Sequence, residues 1–197
     1  MKNENVHRTL EKERVTKETA IRLSLAVDGG QDIRIASGQP FFDHLLHQLA
    51  FHAGWDLTVE AVGDLHVDDH HLVEDVALAL GAALQEAWRA KKGMRRYGQR
   101  LLPMDDALIL CAVDLSGRPF CNVALSLSRE FVGNLATEMI PHFFHSLSVA
   151  GAFNLHIRQM SGSNHHHLLE ACFKALGRAL REALTHEGLD VSTKGAL

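Results

Sequence analysis

The chain has 197 residues, 46% hydrophobic and 22% charged, with a formal net charge of −4. That is enough chain for one domain or two small ones with a real core, and the weak negative charge gives nucleic acid or an anionic membrane no electrostatic foothold. No apolar run approaches the roughly 18 residues of a membrane span. The polar stretch at 1–14 lacks the apolar core of a signal peptide. Cys111, Cys121 and Cys172 fit no metal or redox spacing, so the sequence predicts a cytoplasmic protein with reduced core thiols.

Residues 14–27 (RVTKETAIRLSLAV) alternate polar and apolar and predict a half-buried strand, closed by a turn at Asp28-Gly29-Gly30. A short strand follows at 33–37, then a helix over about 40–53 opened by Pro40. Residues 55–62 (WDLTVEAV) alternate again as a strand. From about Asp69 to Ala90, Leu72, Val76, Leu80 and Leu84 recur at intervals of four and predict a long helix. A basic loop (KKGMRRYG, 91–98) leads to strands at 107–115 and 119–127 joined by Ser116-Gly117-Arg118. A helix at about 135–150, a strand at 153–159 and a helix from about His165 to His186 complete the chain, with a tail ending STKGAL.

The two halves can be laid on each other. DHLLHQLAFHAGWDLTV (43–59) matches PHFFHSLSVAGAFNLHI (141–157), which sets His44 on His142 and His47 on His145. Two residues of slippage later, DHHLVED (69–75) falls on HHHLLEA (165–171). The same helix–strand–turn–helix unit therefore occurs twice. This predicts an α/β (α+β) sandwich of two similar βαβα-type halves from an internal duplication, residues 1–92 and 93–197, with sheets backed by helices in one compact catalytic unit.

Histidine carries the chemistry. There are 14, and they cluster at the helix starts. His70 and Glu74 stand at i and i+4 on one helix face and can share one cation, while His71 lies about 100° round the helix and cannot join them. His166 and Glu170 repeat that pair, with His167 as the offset residue. Two metals explain the doubling, and His44 and His142, at equivalent places in the repeat, could complete each shell. Imidazole plus carboxylate suits Mn, Fe, Co, Ni or Zn and leaves open positions for a substrate. Asp69 and Asp75 are the nearby acids expected to orient ligand imidazoles. His66 and His156, isolated in turns or strands, read as structural.

The stretches FFDHLLHQLAFH, GDLHVDDHHLVEDVALALG, RRYG, PMDDAL, DLSGRP, NHHHLLEACFKALGRAL and STKG resemble the imidazoleglycerol-phosphate dehydratases of histidine biosynthesis, from about Arg8 to the C-terminus. The resemblance implies two Mn(II) ions per active site, with other divalent transition metals possible. One would take His44, His71, His166 and Glu170; the other would take His70, Glu74, His142 and His167. It also implies active sites between subunits of a large symmetric homo-oligomer of 24 chains. The implied substrate residues are Glu18, His44, His52, His70, His71, Arg96, Arg118, His166, Ser192, Thr193 and Lys194. Arg96, Arg118 and Lys194 would hold the phosphate of a small imidazole sugar phosphate. Pro141 stands where many relatives are expected to carry glutamate. No phosphatase motif accompanies these stretches, so the expectation is a stand-alone dehydratase.

The reaction implied is loss of water from D-erythro-imidazoleglycerol 3-phosphate to give imidazole-acetol phosphate. The proton on the middle carbon is not acidic, so the ring must be activated, as a metal-stabilised imidazolate. Glu18, a carboxylate outside the metal set and expected on a strand, is the candidate acid/base. The residues alone also admit a binuclear metallohydrolase of a phosphate ester, which would need a metal-bound hydroxide and release phosphate, or a non-catalytic metal-binding protein, which gives Arg96, Arg118 and the STKG tail no use.

Overall fold

A computed structural model of the chain describes residues 9–188. The first strand region is two strands, β1 (Leu10–Val15) and β2 (Thr19–Ala26), where alternation in the sequence suggested one. The break is the turn at Thr16, whose hydroxyl oxygen accepts the backbone N–H groups of Glu18 and Thr19. Then come β3 (Ile33–Ala36), α1 (Pro40–Ala53), β4 (Asp56–Gly63) and α2 (His70–Ala90). The second half holds β5 (Tyr97–Met104), β6 (Ala107–Asp114), β7 (Phe120–Ala124), the short pair β8 (Phe131–Val132) and β9 (Leu135–Ala136), α3 (Met139–Gly151), β10 (Asn154–Ser161) and α4 (His165–Ala183).

Three further differences from the sequence reading have physical causes. β5 escapes the alternation test because it is an edge strand, largely exposed and carrying Pro103. The helix expected from about 135 begins at Met139, because 131–136 is spent on the β8–β9 pair. The last helix ends at Ala183, three residues before His186, which instead bridges to Met94.

The strand orders β1-β2-β4-β3 and β5-β6-β10-β7 are the same order written twice: first, second, fourth, third. The pairings repeat too. The first two contacts in each sheet are antiparallel and the last is parallel, β3 on β4 and β7 on β10. The fold is thus two mixed four-stranded sheets backed by four helices, in two similar halves. Each sheet lies on its own half's helices, and the helices meet across the halves, α1 on α4 and α2 on α3.

Glycine makes both cross-half contacts close. A Cβ on Gly177 of α4 would meet the Leu49 carbonyl and the Ala53 nitrogen of α1; one on Gly81 of α2 would meet the Leu147 carbonyl and the Gly151 nitrogen of α3. Gly81 and Gly177 are also equivalent in the sequence repeat. The paired helices run in the same direction: Glu170 lies beside His44 and Arg181 beside Gly54, while Glu74 lies beside His142 and the Trp88 indole donates to the Gly151 carbonyl. Phe42 meets Phe143 edge-on at 5.5 Å and joins α1 to α3. All four helix N-termini therefore lie at one end of the molecule, over a single apolar core.

Candidate metal centre

Local sequence fixes the helix starts that carry the donors. Pro40 sits at the start of α1, and Asp43 reaches back to accept the backbone N–H and hydroxyl of Ser37. Asn164 caps α4, its side chain accepting from the N–H groups of His166 and His167. The i, i+4 spacing then sets His166 beside Glu170 and His70 beside Glu74.

Two groups of possible ligands result: His44, His166 and Glu170, and His70, Glu74 and His142. Within each, the donor atoms all lie within 4.8 Å of one another. In the first, Glu170 Oε2 is 3.0 Å from both His44 Nε2 and His166 Nε2. In the second, Glu74 Oε2 stands 3.7 Å from His70 Nε2 and 3.6 Å from His142 Nε2. The buried His142 Nε2 has no hydrogen-bond partner, an orphan that a cation at this point would satisfy. Two imidazoles and a carboxylate with open directions fit a divalent transition metal.

His71 and His167 are absent from both groups. Each has its Nδ1 held by a carboxylate: His71 by Asp64 at 3.0 and 3.2 Å, His167 by Asp106 at 2.7 Å. That leaves Nε2 as the nitrogen each ring could offer a cation, with Asp105 Oδ2 3.5 Å from that of His167. The Asp64 hydrogen bond raises the His71 pKa, with burial opposing and Glu18 assisting. The Asp106 carboxyl is held well below the usual range by the Ser163 and Asn164 N–H groups and then by His167.

The acids expected in this role are elsewhere. Asp69 accepts the Ala136 N–H, and Asp75 is taken by Arg14 and the Thr19 hydroxyl. Asp64 and Asp106 are the residues that reading missed. Asp64 opens the loop before α2, and Asp106 comes from the β5–β6 turn, a contact that only the fold creates.

Glu18 lies in the β1–β2 turn, not on a strand, with its carboxylate 3.8 Å from His71 Nδ1. His52 closes α1, and its Nδ1 is buried without a partner. Burial, then Arg178 and Lys174, lower its pKa. Arg96 and Arg118 lie far from both groups. The Arg96 backbone N–H donates to the carbonyl of Ala183, the last residue of α4, so about 25 Å of helix separates it from His166. Its guanidinium forks onto Asp114 at 2.6 and 3.1 Å. Arg118 is exposed in the β6–β7 connection. Ser192, Thr193 and Lys194 lie outside the described residues.

The imidazoleglycerol-phosphate dehydratase family profile matches residues 37–180, which include every residue of both groups. The chain belongs to this family. It is 46% identical to the imidazoleglycerol-phosphate dehydratase of Lachnoclostridium phytofermentans, a match covering 98% of this chain and 96% of that one. It is 52% identical to the histidine biosynthesis bifunctional protein HisB of Legionella pneumophila, over 94% of this chain but 52% of the relative. The chain thus spans about half the length of its bifunctional relatives and nearly all of the single-function dehydratases. Among solved family structures, that of the Staphylococcus aureus dehydratase superposes with a TM-score of 0.83 at 37% identity, covering 91% of this chain and 99% of that one. The Pyrococcus furiosus enzyme, in complex with (S)-C348, gives 0.84 at 38% identity, covering 94% and 100%.

Proposed function

We propose that this chain dehydrates D-erythro-imidazoleglycerol 3-phosphate to imidazole-acetol phosphate in histidine biosynthesis, as a lyase of the cytoplasm. The observation that carries the reading is the pair of His/His/Glu groups at one end of a dehydratase fold, each a His/Glu pair from one half completed by a histidine from the other. Residues 1–92 and 93–197 are read as duplicated half-repeats, so the two groups are copies of one ancestral site.

Each group offers three donors, and His71 and His167 belong to neither. A second copy of the chain supplies the match. His44, His166 and Glu170 of one subunit take His71 of a neighbour, and the neighbour's His70, Glu74 and His142 take His167 of the first. Two Mn(II) ions would thus lie at each junction of a closed homo-oligomer, the 24-chain assembly expected of the family. When bound, they would supply Lewis acidity to the two nitrogens of the substrate ring, stabilising it as an anion. Glu18, in the turn beside His71, would move the proton of the middle carbon. Arg96, Arg118 and the Ser192-Thr193-Lys194 segment would hold the phosphate. Because Arg96 is a helix length from its own chain's donors, that contact too comes from a neighbouring subunit.

The test is turnover of imidazoleglycerol phosphate by chelator-stripped protein, with and without added Mn(II). The expected outcome is ketone formed only with metal and without release of inorganic phosphate. Release of phosphate instead, or no product with any divalent metal, would refute the dehydratase reading.

A further inference from the structure

The repeat lets one half serve as a control for the other. The offset that sets Glu170 on Glu74 sets Lys174 on Leu78. Around these positions the two donor groups are otherwise alike, yet their carboxylates differ. Lys174 Nζ lies 2.7 Å from Glu170 Oε1, one helical turn on, and its position is supported by Met104 Sδ at 3.7 Å. The Glu170 side chain is 8% exposed and that of Lys174 20% exposed, so water screens this ion pair poorly. Glu74 is 36% exposed, and among the described residues its ionic partners are His70 and His142 alone. Where Lys174 stands in the second half, Leu78 presents no charge.

The physical consequence is unequal donors. A cation on Glu170 Oε2 is one carboxylate away from an ammonium, which repels it and draws electron density from the shared group. Oε1 is already occupied, so Glu170 can offer only one oxygen. Glu74 keeps its full charge and both oxygens. A bound pair also orders Glu170 in advance and spares some entropy, but losing one side chain's rotamer freedom is a smaller effect than adding a like charge in a poorly screened site.

We infer that Lys174 is a positioning residue that makes the two metal sites inequivalent, so that the Glu74 site fills first and the Glu170 site is the weaker, exchangeable one. The inference rests on the metal-centre reading above. It assigns the two copies different tasks: a standing ion held by His70, Glu74 and His142, and a labile one held by His44, His166 and Glu170.

The experiment is titration of metal-stripped full-length protein with Mn(II), without substrate. Free Mn(II) is followed by its electron paramagnetic resonance signal, at one fixed protein concentration. Wild type should show two binding classes separated by at least about tenfold in Kd. His166→Ala should remove the weaker class and His142→Ala the tighter. Lys174→Met, which keeps the stem and removes the charge, should tighten the weaker class toward the other; Lys174→Arg should keep the separation. One class in wild type, loss of the tighter class in His166→Ala, or an unchanged isotherm in Lys174→Met would each overturn the assignment. Absence of any Mn(II) uptake would overturn the metal centre itself, which separates the two failures.

Discussion

The two ends of the helix layer are built for different work. At the N-terminal end, four helix starts converge six side chains that could hold metal into two groups, with His71 and His167 held nearby by Asp64 and Asp106. At the C-terminal end lie Arg96, locked onto Asp114, and the exposed Arg118. A substrate with an imidazole at one end and a phosphate at the other is far shorter than the about 25 Å of helix between these regions. On the proposed function, in which Arg96 and Arg118 hold the phosphate, that separation keeps one chain from closing an active site around such a molecule. The proposed function therefore sets the far end of one subunit against the near end of another.

The largest effect that could break this comparison comes from mixing inactive variants. A His70→Ala/Glu74→Gln chain keeps the His44, His166 and Glu170 group; a His166→Ala/Glu170→Gln chain keeps the other. Each alone should turn over no substrate. Unfolded together and refolded as mixed oligomers, they should regain about a quarter of wild-type activity, since random assembly leaves about that share of two-chain junctions intact. Donors completed within one chain would leave the mixture as inactive as its parts.

Glu18 sharpens the same comparison on a smaller scale. It belongs to the end that carries the two His/His/Glu groups but to neither group, and it sits 3.8 Å from His71 Nδ1. Glu18→Gln should keep its full metal content and lower turnover at least about a hundredfold, the lower range for a proton-transfer group. Metal content is read by elemental analysis and turnover by ketone formation. Loss of metal would move Glu18 into the coordination scaffold, and unchanged turnover would remove it from the chemistry.

What could be read from the sequence follows from the range of each interaction. The helices were legible because each carries its own apolar period, with Pro40 and Asn164 marking two of the starts. The His/Glu pairs were legible because i, i+4 geometry is local, and the repeat doubled the signal. Two of the edge strands, β1 and β5, were not. β1 (LEKERV) and β5 bury little, so their sequences answer to solvent rather than to the core. The acids holding His71 and His167 were misread for a related reason. Asp69 and Asp75 flank the histidines in sequence, but their directions are set by Ala136, Arg14 and Thr19 from other elements. Asp106 reaches His167 across 61 residues of chain, which no local pattern could reveal.

The smallest expected effect lies between the two ends, at His52. Its Nδ1 is buried between α1 and α4 without a partner, and burial followed by Arg178 and Lys174 lowers its pKa below 6.5. In the window between that folded value and 6.5, the unfolded chain binds a proton that the folded chain refuses. Stability therefore falls as the pH drops through the window, and the loss is complete below the folded pKa. His52→Gln has no such proton to bind in either state. Compared by urea unfolding at about pH 7 and pH 5, the variant should lose less stability than wild type over the same interval. The slope isolates the titration from any packing change, which would shift both pH values alike. Equal slopes would mean that His52 takes up its proton in the folded chain, and that the cations of α4 do not bear on it.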